Sequence, residues 1–560
     1  MAREKKSAAV NTAAHSGEMT HREILLVLVG LMSGMFLSAL DQSVVGSAMR
    51  TIADDLKGLE LQAWVTTMYL ITSTVATPIY GKLGDIFGRR RLFMIAISIF
   101  LLGSALSGFA ADMWQLAAFR AVQGIGAGGL FSLAITVLAD IVPPRERARY
   151  QGMFLAVFGS SSVLGPVVGG LFASAPEILW LNGWRWVFLI NLPIGAVALY
   201  MVYKFLHVPH VPKPHRIDWW GAITIVMAVV PLLIVAENGQ SWGWGSAESI
   251  TMYAIGIVGI VAFIMAERAA KEEALLPLSL FKSFGFSMST ILGVIIGVGM
   301  FGGMMTLPLI MQIVNGFTPT QSGFAMLPMV FGMMTATVIS GQVTRKTGKY
   351  RIFLTTGTGF LLLGYVYMNG YTADLAYWQV AIGMLLIGFG LGQLMQTLTL
   401  VSQQTVPASE VGVATSSATF FRQMGGTLGV AVFISILFNS LGDNIKNAFK
   451  DSSVIAGVKA AVQDPKVLAD PNNQIVLKAM QDPAHSSLGD QIKTDSSFLS
   501  HLDPRLARPF LVGFADSAVT VFFWATLVVA VAFVLSFFIK APALRNTSAS
   551  QDAAAAAAGH

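Results

Sequence analysis

Apolar stretches of about twenty residues, parted by short polar segments, recur from one end of the chain to the other. At about 1.5 Å of rise per helical residue, that length crosses the ~30 Å hydrocarbon core of a bilayer. The pattern predicts fourteen spans, at 24–48, 61–80, 92–110, 114–140, 150–173, 185–205, 217–237, 249–267, 285–307, 321–341, 352–369, 376–400, 412–438 and 514–538. The first follows Arg3, Lys5, Lys6 and Arg22, runs longer than the core of a secretory signal and lacks a small-x-small cleavage site, so it reads as an uncleaved span. The expected fold class is an all-α multi-pass membrane protein. An even number of spans puts both termini on one side.

Charge then orients the chain. With the N-terminus cytoplasmic, 23 of the 36 Lys and Arg residues fall on inner segments and three, Arg50, Lys57 and Arg185, on short outer loops. Positive charge in short loops marks the cytoplasmic side, so this bias places both termini inside. Arg120 and Arg422 fall within spans, and the other eight basic residues lie in 440–510, balanced by eight Asp. Nine of the eleven Trp residues stand at or near span ends, where interfacial indoles belong.

Composition narrows the function. The chain is 54% hydrophobic and 12% charged, with mean hydropathy +0.66, against about twice that charged fraction in soluble domains. The net charge of +6 belongs to loop topology and is no nucleic-acid signal. There are no cysteines, which excludes disulfides, thiolate metal sites and cysteine catalysis. No P-loop, metal-ligand cluster or nucleophile elbow appears, so neither an enzyme nor a cofactor or metal is expected, and ATP drive on this chain is excluded. All eight His lie outside the spans. If protons drive transport, carboxylates carry them.

An internal repeat divides the chain. Gly124-Ile-Gly126-Ala-Gly128 matches Gly388-Phe-Gly390-Leu-Gly392; Val142-Pro143 then matches Val406-Pro407, and Gly165 matches Gly429, all at one offset. Gly81 to Arg91 has a counterpart in Gly341 to Arg351 that keeps its bases and lacks the Asp. Each match pairs a span with the one eight later, which two six-helix bundles separated by two inserted helices explain. The expected organisation is a cytoplasmic tail at 1–23, a bundle at 24–205, the insert at 217–267, a second bundle at 285–538 containing a long outer loop at 440–510, and a disordered tail at 540–560.

Four motifs carry chemistry. Gly81-Lys-Leu-Gly84-Asp85-Ile-Phe-Gly88-Arg89-Arg90-Arg91 joins spans 2 and 3; its glycines allow a tight turn, and Asp85 can accept charge-assisted bonds from neighbouring helix ends. Leu40-Asp41 in span 1 puts a carboxylate about 17 residues into a helix, in the outer half of the bilayer, where an unpaired charge costs a few kcal/mol and marks a proton site. Arg120, Gln123 and Gly124 stand in span 4, with Arg120 at the depth of Asp41. Gly159, Gly165-Pro166 and Gly169-Gly170 in span 5 kink the helix and let neighbours approach.

In these motifs, in their order and on their helices, the sequence resembles the fourteen-span drug:proton antiporter family of the major facilitator superfamily, over roughly 24–440 and 510–540. The span-1 motif departs from the family at Gly46 and Arg50. The resemblance implies that the Gly81–Arg91 loop latches the outward-facing state by holding helices of the two halves together, and that the span-5 motif belongs to exporters. It also extends to Trp184–Gly195 and to Phe420-Phe421-Arg422-Gln423.

The expected activity is proton-coupled efflux of apolar or cationic small molecules across the cytoplasmic membrane by alternating access. Asp41 is the coupling residue, paired with Arg120, and Glu237 a second candidate. The alternative is a lipid or glycolipid exporter that uses the outer loop for a periplasmic partner. Gln123, Arg422, Met300 and Met304 are candidate cavity residues, flexible thioethers suiting varied apolar ligands. Arg422 either recognises anions or pairs with helix carbonyls, the second being the stronger expectation. A functional monomer in the lipid bilayer is expected. The 440–510 loop, with amphipathic stretches Val454–Val462 and Gln474–Met480 between Asp-Pro turns at 464, 470 and 482, reads as a helical cap, a docking site or a linker.

Overall fold

The computed structural model describes residues 21–57, 61–206, 217–407, 410–481, 499, 501–539 and 542–544. Both tails, the 207–216 connection and the Asp482-Pro483 turn lie outside those residues, as do the side chains of Arg50, Glu237 and Met304. A described helix stands at each of the fourteen apolar stretches. The first half comprises α1 (His21–Asp55), α2 (Gln62–Phe87), α3 (Arg89–Gly108), α4 (Met113–Ile141), α5 (Pro144–Ser174), α6 (Trp186–Leu189) and α7 (Asn191–Phe205). The insert is α8 (Trp219–Trp242) and α9 (Ala247–Ala270). The second half comprises α10 (Phe284–Ile313), α11 (Pro319–Ala325), α12 (Leu327–Thr347), α13 (Ile352–Met368), α14 (Tyr377–Gln404), α15 (Val411–Ala448), α16 (Ser452–Gln463), α17 (Pro465–Ala469), α18 (Gln474–Gln481) and α19 (Pro504–Ser536). By length and composition, ten segments among the described residues can cross a membrane.

Several spans differ from their expected limits. The stretch at 185–205 is broken at Ile190, and a two-stranded hairpin (β1, Glu177–Ile178; β2, Leu181–Asn182) precedes it. The stretch at 321–341 is broken at Met326, two residues before Pro328, whose ring cannot continue the ladder. Helices α15 and α19 run well past the apolar stretch into the 440–510 loop.

Each half has its own core. Phe93, Phe100 and Leu130 centre the first, and Leu361, Tyr365 and Phe522 the second. The repeated glycines do the same work in both. A Cβ at Gly128 would stand 2.2 Å from the Ser73 carbonyl of α2, and one at Gly392 would stand 2.1 Å from the Met333 carbonyl of α12. The central helices α4 and α14 therefore press backbone to backbone on their neighbours. The halves meet along two seams, α2 against α15 and α5 against α12. Helix α8 lies across the first seam, where Ile225, Val229 and Leu233 join Ile71 and Val75 of α2 and Phe420 of α15.

The described residues of the 440–510 loop form a helical cap. Asp451, Asp464 and Asp470 each accept a backbone N–H at the start of the next helical turn, which is what the Asp-Pro signals at 464 and 470 encode. Val458, Ala461, Val467 and Leu477 close on Leu506 of α19.

Candidate functional site

Asp41 and Arg120 meet inside the first half, both about 1% exposed, and form an ion pair. The same guanidinium Nη1 donates to Gln123 Oε1 at 2.7 Å, one turn along α4. Asp41 Oδ1 accepts from Gln123 Nε2 at 2.9 Å and from Asn191 Nδ2 at 2.7 Å. Asn191 also donates to Ser104 Oγ at 2.9 Å, and Ser104 to the Phe188 carbonyl at 2.9 Å. The ring of Tyr69 lies 4.1 Å from the guanidinium carbon of Arg120, and its hydroxyl is 2.7 Å from that of Ser38. Side chains from α4 and α7 thus converge on the one carboxylate of α1, with Tyr69 of α2 and Ser104 of α3 behind them. In this buried setting the carboxyl group faces one cation and two amides.

Gln123 is fully enclosed in this network. Tyr69, Ser104 and Asn191 are partners that spacing alone did not single out; an amide beginning an apolar helix at Asn191 was the available signal. Helix α5 fixes the other side of α1. Ser43 Oγ donates to the Ser161 carbonyl at 2.9 Å, and a Cβ at Gly165 or Gly169 would stand 2.0 Å from Ser43 Oγ or Ser47 Oγ. Gly159 faces the other half instead, where a Cβ would meet Val330 at 2.2 Å, while Gly170 has open space within 4 Å. Pro166 lies inside α5. The span-5 motif therefore packs the helix bearing Asp41 and touches the second half.

A second charged cluster lies at the basic end. Tyr69 and Asp85 share α2, sixteen residues apart, about 24 Å along its axis. The tight turn between α2 and α3 belongs to Gly88 alone, at φ 88°. This corrects the expectation for Gly81 and Gly84, which lie within α2 as points of close approach. A Cβ at Gly81 would stand 2.0 Å from Ser416 Oγ of α15, and one at Gly84 would stand 2.9 Å from Leu133. Arg89 donates to Asp85 Oδ1 at 2.7 Å and pairs with Asp140 at the end of α4. Asp85 faces the start of α15, since a Cβ at Gly412 would lie 2.4 Å from its Oδ1. A carboxylate at a helix N-terminus is favoured by the exposed amides and the helix dipole. Arg90 donates to the Tyr203 carbonyl and lies 5.3 Å from its ring, whereas Arg91 is exposed.

A further contact joins the halves at this end. Buried Arg147 donates to the Val142 and Ala139 carbonyls at 2.8 and 2.6 Å, and to Gln403 of the other half. Gln403 in turn donates to Thr415 at 3.0 Å. The second copy of the loop ends α12 at Gly348, φ 69°, and its Arg351 donates to the Phe537 carbonyl within its own half.

A family model described as Major Facilitator Superfamily matches residues 31–430. The chain belongs to the major facilitator superfamily. It is 35% identical to Multidrug transporter protein MdtP of Bacillus subtilis over 531 residues, 94% of each chain. It is 34% identical to Multidrug resistance protein 3 of the same organism, over 82% of this chain and 90% of that one. Among solved structures, the proton:xylose symporter XylE superposes with a TM-score of 0.54 at 13% identity, over 96% of this chain and all of the other. That likeness shows the fold. Family and relatives make this a multi-pass membrane transporter and not an enzyme.

Two expected cavity residues lie apart from the Asp41 network. Met300 is buried in the core of the second half. Arg422 is 7% exposed, and the expectation that it pairs with helix carbonyls is not met: among the described residues it has no hydrogen-bond or carboxylate partner.

Proposed function

We propose that this chain is a proton-coupled exporter of small, largely apolar molecules, crossing the cytoplasmic membrane fourteen times with both termini inside. The observation that carries this reading is the buried Asp41–Arg120 pair, braced by Gln123 and Asn191 on helices that face each other within one half. The relatives named as multidrug proteins support the cargo class.

Asp41 is ionised while Arg120 holds it. A proton taken up on Oδ2 turns that oxygen from acceptor to donor and breaks the ion pair, leaving Arg120 on Gln123 and the Tyr69 ring. Helix α1 is then free to shift against α5. At the basic end, the Asp85–Arg89–Asp140 cluster and the Arg147–Gln403 bond hold the halves closed, and alternating access requires both to part. One charge moved through 100 mV is worth ~2.3 kcal/mol, roughly fifty-fold in accumulation, so one proton per neutral molecule supports useful efflux. Glu237 is a secondary coupling candidate.

Efflux of a neutral fluorescent dye from loaded cells, measured with and without an uncoupler, tests the reading. Extrusion should stop on uncoupling while cellular ATP is held constant. Unchanged extrusion under those conditions rules out proton coupling.

A further inference from the structure

Arg422 sits on α15 between residues that pack or hydrogen-bond across the seam. Phe420 packs with α8 in the seam, and the Phe421 ring lies 5.9 Å from that of Phe281. Thr77 of α2 donates to Gln423 Oε1 at 3.2 Å. On the α10 side the backbones nearly touch, since a Cβ at Gly297 would stand 2.3 Å from the Arg422 carbonyl oxygen. The guanidinium between these contacts is the exception.

The other deeply buried arginines show what this fold does with such a group. Arg120 has a carboxylate, an amide oxygen and an aromatic face; Arg147 has two carbonyls and a glutamine. Arg422, 7% exposed, has none of these among the described residues. A guanidinium cannot shed its proton to escape the cost, as a lysine could, and burying a cation without a counter-charge is strongly unfavourable. A neutral side chain of similar volume would be more stable here, so the charge is held for something that arrives.

We propose that Arg422 receives an acidic oxygen of the cargo, a carboxylate or an anion of like geometry, on an otherwise apolar molecule. This rests on the exporter reading above and names the cargo class. The planar fork of donors matches a carboxylate in two parallel bonds, and the pair forms only when cargo binds. The same charge disfavours a permanent cation on the same apolar body, which revises the cationic part of the expected cargo. Coupling agrees: a monoanion leaving as one proton enters moves two charges down the membrane potential, whereas a neutral molecule moves one.

Three fluorescent dyes sharing one aromatic body, with a carboxylate, a carboxamide or a trimethylammonium group, are titrated onto the full chain in lipid nanodiscs. The wild type should bind the carboxylate about tenfold tighter than the trimethylammonium dye. In Arg422→Gln this ratio should fall to near one while thermal unfolding moves upward; Arg422→Lys, which keeps a charge but loses the fork, should lie between. A wild type without preference, or an Arg422→Gln variant that keeps it, overturns the proposal, and Arg422→Lys gives the comparison if the glutamine variant does not fold. A chain that binds the acid with this preference but exports none of the dyes would sink the exporter reading and leave the acid site standing.

Discussion

Replacing Asp41 by Asn should uncouple the transporter and weaken the fold together, by an amount the geometry sets. The amide keeps one oxygen for Gln123 and Asn191, at 2.9 and 2.7 Å, but turns a donor group or a neutral oxygen toward Arg120. The guanidinium is left buried without its counter-charge. Breaking a buried ion pair at one partner costs ~3–5 kcal/mol. Gln123 at 2.7 Å and the Tyr69 ring at 4.1 Å remain to Arg120, so the low end applies. About 3 kcal/mol is roughly a hundredfold in the folding equilibrium. Reversible unfolding in mixed detergent micelles reads this directly. Adding Arg120→Gln should recover most of the loss, because two neutral partners leave no stranded charge, whereas proton release on substrate addition should be absent from both variants. An Asp41→Asn protein as stable as wild type, or one that releases protons normally, would refute the reasoning.

Other consequences can be checked separately. Gly81→Ala places a methyl 2.0 Å from Ser416 Oγ and should prop the basic end apart and slow transport, with Ser416→Gly in the same chain restoring much of it; an inactive double variant would argue against this contact as the cause. Because the chain has no native cysteine, a single one introduced at buried Ser417 reports that end directly. Asp85→Asn should raise its labelling rate about tenfold, on the scale of one charge-assisted bond lost. At the helical cap, hydrogen bonds from Arg505 hold the Asp464 and Asp503 carboxyls below the usual carboxylate range. A depressed folded pKa gives stability that is present above the ordinary Asp value near 4 and lost as pH falls through the lowered one. Protection of the Ser452–Gln463 amides, taken as the ratio of intrinsic to observed exchange rate at each pH, should therefore be high at neutral pH and fall in acid, and Asp464→Asn should reproduce part of that fall at neutral pH.

The helices were legible in the sequence because a bilayer demands continuous apolar runs, and the Asp41–Arg120 pair because equal depth on neighbouring spans leaves two buried charges little else to do. Breaks at Ile190 and Met326 were not, since local Pro and loop chemistry act below the resolution of a twenty-residue pattern. Gly88 forms the expected turn, but Gly81 and Gly84 do not: composition cannot tell a glycine that bends a chain from one that admits a neighbour, here Ser416 and Leu133. Arg147–Gln403 was illegible for the same reason, as the partners lie in different halves with no shared motif. That Arg422 has no partner among the described residues could not be read from its sequence neighbours, since it depends on contacts made by other helices.

The placement of α8 across the seam between α2 and α15 has a mechanical outcome. On the alternating-access reading proposed above, those two helices belong to bodies that rock against each other, yet both rest on Ile225, Val229 and Leu233 of a third. Each cycle therefore drags two apolar tracks over one bearing, whose smooth, charge-free surface offers little to catch. The same helix shutters that flank from the lipid. On that reading, a molecule dissolved in the bilayer that enters sideways would have to part the opposite seam, between α5 and α12, where Gly159 packs on Val330.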